Sequence, residues 1–136
     1  MEEKNRILII GVDKEIHSSI TEQFDTQNFE CVAVIHGKEG LTKIRESRFD
    51  VVILDEKLVD IEGLDLVQTI RLEDSKTPII YISFHDHENK MLQLLRNGVN
   101  DYLVKPLSYE EIKYKTINYI KLFGKNVSNM TTDKVE

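Results

Sequence analysis

The chain has 136 residues, a length that suits one domain built around one core. Its formal charge of −6 leaves no basic excess to displace counterions from nucleic-acid phosphates, so protein partners fit better than DNA or RNA. A single cysteine excludes an internal disulfide, no apolar stretch is long enough to span a membrane, and Met1 to Arg6 lacks a signal-peptide pattern, so a cytoplasmic setting is expected.

Short apolar runs alternate with segments of helical period. Arg6-Ile7-Leu8-Ile9-Ile10 reads as a buried strand, and Ile16, Ile20 and Phe24 then recur every four residues on one helix face. Asp13 stands where that helix begins and is expected to cap it. Phe29 to Ile35 is a second strand, in whose apolar run Cys31 is expected to be a buried, inert thiol. Leu41 and Ile44 mark a short helix, and the charges from Arg45 to Arg48 read as its solvated end. Asp50 to Asp55 is a third strand, apolar through its middle and ending in an acid. Leu64, Val67 and Ile70 share a helical face, and Pro78 to Ser83 is a fourth strand. Met91, Leu94 and Leu95 indicate the next helix, with Asp86 as its expected cap. Tyr102-Leu103-Val104 is a short fifth strand. Ser108-Tyr109-Glu110-Glu111 is a capping box that opens the last helix, whose apolar face is read as Ile112, Ile117 and Ile120. Periodicity then stops, so residues 1–123 are expected to form the domain and residues 124–136 a flexible tail or the start of a linker.

Strands alternating with helices predict right-handed crossover units, and strands that are apolar along their length predict a parallel sheet covered on both faces. The fold class is therefore a doubly wound α/β sandwich. In such sheets sites form at the carboxyl ends of the strands, which directs attention to Asp55, Ser83 and Lys105. A carboxylate nucleophile, a hydroxyl and an ammonium at one sheet edge suit phosphoryl transfer: the acid attacks phosphorus while the other two hold phosphoryl oxygens. Tyr102, three residues before Lys105, is placed to report the state of the site.

Ile53-Leu54-Asp55, Gly63-Leu64, Pro78-Ile79-Ile80 with Ser83, and Gly98-Val99-Asn100-Asp101-Tyr102-Leu103-Val104-Lys105-Pro106 together resemble the receiver domain of two-component response regulators. The resemblance covers residues 5 to 122, and Asp-Tyr-Leu-Val-Lys-Pro is its most specific run. It implies a flavodoxin-like sheet of strand order 2-1-3-4-5 with five helices. It implies phosphorylation of Asp55 by a histidine kinase or phosphotransfer protein, with Ser83 and Tyr102 as a switch pair and Lys105 as the phosphoryl-binding lysine. It further implies a cis bond at Lys105-Pro106, and an output or dimer face formed by the fourth helix, fifth strand and fifth helix.

Three positions depart from the family pattern. The adjacent acids that hold Mg²⁺ after the first strand are replaced by Gly11 and Val12, and Asp13 comes one residue too late. Phe84 stands where a small residue is usual and would shade Asp55, and Val59 replaces a common proline. The family site of three carboxylates, one lysine and one Mg²⁺ sums to zero, and here Asp55 and Lys105 alone do so. Magnesium would have only the Asp55 carboxylate and the Lys57 carbonyl as protein ligands, with Lys57 itself as a substitute positive charge, so weak or absent Mg²⁺ binding is expected.

Plainer readings stand beside these. Asp55 with Lys105 would form a structural ion pair, Ser83 an ordinary strand-end hydroxyl, and Tyr102 a static rim aromatic. His85 and His87 lack a third metal ligand, and Glu56 and Glu62 are expected to be exposed. Two functions remain in competition: a phospho-accepting switch, and a pseudo-receiver that binds proteins independently of phosphate. Enzyme readings are poor. A flavin protein needs a hydroxyl-rich loop after the first strand, and an aspartyl-phosphate phosphatase needs an acid where Lys57 stands.

Overall fold

The computed structural model describes residues 3–84 and 87–123. Its elements are β1 (Asn5–Ile10), α1 (Lys14–Thr21), β2 (Phe29–Val34), α2 (Gly37–Glu46), β3 (Val51–Asp55), α3 (Gly63–Glu73), β4 (Ile79–Ser83), α4 (Glu88–Arg96), β5 (Asp101–Val104) and α5 (Tyr109–Phe123). The strands form one parallel sheet in the order β2-β1-β3-β4-β5. The doubly wound expectation holds because the central strands are buried along their whole length and must be covered on both faces.

Period-two alternation divides the core into two layers. Leu8, Ile10, Val52, Leu54, Ile79 and Tyr81 face α2, α3 and α4. Ile7, Ile9, Val51, Ile53, Ile80, Ile82 and Leu103 face α1 and α5. Each fully buried Ile or Leu side chain stabilises the fold by about 1.5–3 kcal/mol relative to exposure.

Helix ends follow local chemistry in part. Asp13 caps α1, its Oδ1 accepting from the amides of Glu15 (2.9 Å) and Ile16 (3.3 Å). Ser108 Oγ accepts from Glu111 N at 3.2 Å at the start of α5. At α4 the N-cap position is His87, with no side-chain cap bond, while His85 and Asp86 lie outside the described residues. The expected tail from Gly124 also lies outside them.

Several expectations are corrected. The inward face of α5 is Ile112, Thr116 and Ile120, a clean spacing of four, with Ile117 only partly buried. Cys31 is half-buried, because β2 is an edge strand with its second face open. Burial still pushes its thiol up from the ordinary value. The solvated reading of Arg45 holds, but its guanidinium makes a two-pronged pair with Glu73 on α3 (2.7 and 2.6 Å). The turn between α4 and β5 rests on Gly98, at φ +107°, whose carbonyl accepts two hydrogen bonds from Arg71 at 3.0 and 2.7 Å.

Candidate functional site

β3, β4 and β5 end at the same sheet edge. Asp55 pairs in register with Ile82, Glu56 N donates to Ile82 O (2.9 Å), and Lys105 N donates to Ser83 O (3.0 Å). Parallel pairing therefore brings Asp55, Ser83 and Lys105 to one edge although 50 residues separate the first from the last.

Asp55 is only 3% exposed. Its Oδ1 accepts from Lys57 N at 3.1 Å. Lys105 Nζ lies 3.0 Å from Oδ2, an ion-pair contact without hydrogen-bond geometry, so that buried oxygen keeps an unused lone pair. The Lys105–Pro106 bond is cis. The Phe84 ring is 40% exposed and its centroid lies 4.4 Å from Lys105 Nζ and 5.9 Å from Lys57 Nζ. The aromatic ring thus lies over the very ammonium that pairs with Asp55, at cation–π distance.

Gly11 lies against the acid. A Cβ on Gly11 would stand 2.8 Å from Asp55 Cβ, closer than carbon atoms approach. In this backbone position 11 has no room for any side chain, let alone a carboxylate. Asp13 is committed to capping α1, and the Gly11 carbonyl accepts from His17 Nε2 at 2.7 Å. Among the described residues no group of three or more His, Cys, Asp and Glu side chains is arranged to hold a metal ion. The residues present do not fit a magnesium centre of the family type, because one carboxylate and one carbonyl cannot replace the missing acids.

Glu56 overturns its expected exposure. Its side chain is only 7% exposed. Oε1 accepts from Tyr81 Oη (3.2 Å) and from Lys90 Nζ on α4. Oε2 accepts from Ser83 Oγ (3.1 Å) and from Phe84 N (2.8 Å). The cause is strand parity: β3 continues its pairing by one residue, so Glu56 follows Val52 and Leu54 onto the face that carries Tyr81 and Ser83. Burial would raise the Glu56 carboxyl, but Lys90, the Phe84 amide and the Ser83 hydroxyl outweigh it and hold the group below the usual glutamate value. Burial, and after it the Glu56 charge, push the Tyr81 phenol up, so it remains a proton donor. Tyr102 is half-buried, its ring stacked on Tyr81 at 6.0 Å with 6° between planes.

The sequence reading missed Glu56 because an acid after a strand is ordinarily solvated. The available signal was alternation: Val52, Leu54 and Glu56 share parity, as do Ile79, Tyr81 and Ser83 in the neighbouring strand.

The family description "Response regulator receiver domain" matches residues 7–117. An uncharacterized transcriptional regulatory protein, YkoG of Bacillus subtilis, is 30% identical over 110 residues, covering 81% of this chain and 48% of its own length. The response regulator SaeR of Staphylococcus epidermidis is 26% identical over 130 residues, covering 96% of this chain and 56% of its own. The chain thus spans about half the length of these relatives. Among solved structures, a Francisella response regulator receiver domain matches with TM-score 0.81 at 27% identity, over 88% of this chain and 98% of that one. The five-stranded order, the sheet-edge constellation and these matches agree: the chain belongs to the receiver-domain family of two-component response regulators.

Proposed function

We propose that Asp55 accepts a phosphoryl group from a phosphohistidine on a histidine kinase or phosphotransfer protein, and that the chain acts as a signalling switch without turning over an external substrate. The observation that carries this reading is the Asp55 carboxylate itself. It is buried at the end of β3, one oxygen held by the Lys57 amide and the other beside the Lys105 ammonium with a lone pair unused. An Asp55 oxygen bonds to phosphorus as the P–N bond to the donor imidazole breaks, and the leaving nitrogen takes a proton from solvent. Lys105 offsets charge on the transferred group, so the reaction draws on protein cations in place of Mg²⁺. Oδ2 is sealed from solvent and its Lys105 partner lies under the Phe84 ring, so this site must open before a donor reaches the oxygen. Output passes to a protein partner or a second copy through α4, β5 and α5, where Leu92, Leu95 and Tyr114 are exposed, and the setting is cytoplasmic.

Intact mass after incubation with acetyl phosphate, with and without Mg²⁺, tests this beside Asp55→Asn. A phosphoryl adduct that is lost in Asp55→Asn and depends little on Mg²⁺ is expected. No adduct, or an equal adduct in Asp55→Asn, overturns the reading and turns the search to a phosphate-independent binding partner.

A further inference from the structure

Two carboxylates follow one another at the end of β3, and the second is satisfied by groups that the first would need. A phosphoryl group on Asp55 is a dianion that must find donors at this sheet edge. Besides Lys105 and the Lys57 amide, the end of β4, the strand paired with β3, offers the Ser83 hydroxyl and the Phe84 amide that follows it. Both donate to Glu56 Oε2, at 3.1 and 2.8 Å. The other oxygen is anchored by Tyr81, at 1% exposure in the core, and by Lys90 on α4.

We infer that Glu56 is a positioning residue that competes with the phosphoryl group for Ser83 and Phe84, so that phosphorylation of Asp55 requires Glu56 to release them. The inference rests on the reading that Asp55 is the acceptor. Glu56 is a built-in anion occupying the donors of the phosphoryl site. It also fixes residue 84, whose ring lies over Lys105 beside the sealed Asp55 oxygen. Through Lys90 the same carboxylate ties the end of β4 to α4. Release of Ser83 and Phe84 to a phosphoryl group leaves Glu56 and Lys90 to rearrange together, which couples the acceptor to a helix of the expected output face. The coupling runs through a carboxylate directly adjacent in sequence to the acceptor, without a metal.

The test follows phosphoryl uptake from acetyl phosphate by intact mass in the full chain, Glu56→Ala, Ser83→Ala and the double variant, with Asp55→Asn as control. Removing Glu56 is expected to speed uptake by about tenfold or more, since two hydrogen bonds to a charged group no longer have to break. Ser83→Ala then slows the Glu56→Ala chain by about tenfold, as expected for a freed oxyanion donor, while changing the parent less than about twofold. An equal gain from Glu56→Ala with and without Ser83 would mean that Glu56 acts by charge alone, and overturns the competition. Uptake unchanged by Glu56→Ala but lost in Asp55→Asn also overturns it and leaves the acceptor reading standing. Uptake in none of the chains overturns both. Uptake that begins only when Glu56 is removed supports both. Glu56→Gln and Lys90→Met are measured in parallel, with circular dichroism as the fold check. They remove the charge or the outer anchor while leaving most of the packing, and are expected to raise uptake in the same direction by less.

Discussion

Asp55 and Glu56 are neighbours in the chain with opposite environments. Asp55 follows Val51 and Ile53 onto the α1 and α5 face of the sheet, while Glu56 follows Val52 and Leu54 onto the α3 and α4 face. Asp55 has one amide donor and one ammonium at ion-pair distance, with an oxygen left without a hydrogen bond. Glu56 has a phenol, a hydroxyl, an amide and an ammonium. A buried carboxylate with every lone pair in use is a structural tie, and one with a lone pair to spare can still accept a further group, as the proposed acceptor role of Asp55 requires. The contrast teaches that burial alone does not mark a reactive acid; the balance of donors around it does.

The contrast can be broken most strongly at Glu56. Glu56→Ala leaves the Tyr81 hydroxyl buried without this acceptor and Lys90 without its pair, and is expected to cost about 2–4 kcal/mol. Urea unfolding measures it. A loss below about 0.5 kcal/mol would show that the four contacts are not the tie described here.

Next in size is Gly11. Gly11→Ala places a methyl group 2.8 Å from Asp55 Cβ, an atom that no side-chain rotation can move, so the backbones of β1 and β3 must separate locally. The expected cost is about 1–3 kcal/mol, read from the urea midpoint at unchanged slope. Gly11→Asp adds the same clash with a longer side chain, so restoring the family's acid here is expected to destabilise the domain without creating a magnesium site. Magnesium-dependent stabilisation of Gly11→Asp would contradict this.

The smallest expected effect is the pH dependence that Glu56 brings to stability. Glu56 is held below its usual value in the folded state, so the folded chain binds fewer protons there than the unfolded chain. Its contribution is present in full above the unfolded glutamate value, about 4.3, and is lost as pH falls through the lower folded value. Unfolding free energy measured from pH 7 downward should fall less steeply below that value in Glu56→Gln than in the parent. Parallel curves would show that Glu56 does not contribute to the acid limb.

Much of the fold was legible in residue order. The runs Arg6 to Ile10, Asp50 to Asp55 and Pro78 to Ser83 could be little other than buried parallel strands, and Asp13 and Ser108 announced their helix starts. Boundaries moved by one residue, with Ile35, Asp50 and Pro78 left outside the strands and Asn5 and Asp101 brought in. The α5 face was misread because Thr116 is polar by type, yet its spacing from Ile112 and Ile120 carries it into the core. Spacing overrides residue type when a helix has only one side to bury.

The sequence by itself determined the alternation of strands and helices, the sheet-edge placement of Asp55, Ser83 and Lys105, and the missing acids at Gly11 and Val12. Each follows from local periodicity, strand ends or family spacing, which need no third dimension. Only the tertiary structure decided that Gly11 lies too close to Asp55 to carry a side chain, that Phe84 lies over Lys105, and that Glu56 gathers Tyr81, Ser83, Phe84 and Lys90. Those contacts join residues from different strands and from a helix. Their distances are set by sheet register and by the packing of α4 on the sheet, quantities that no short stretch of sequence contains.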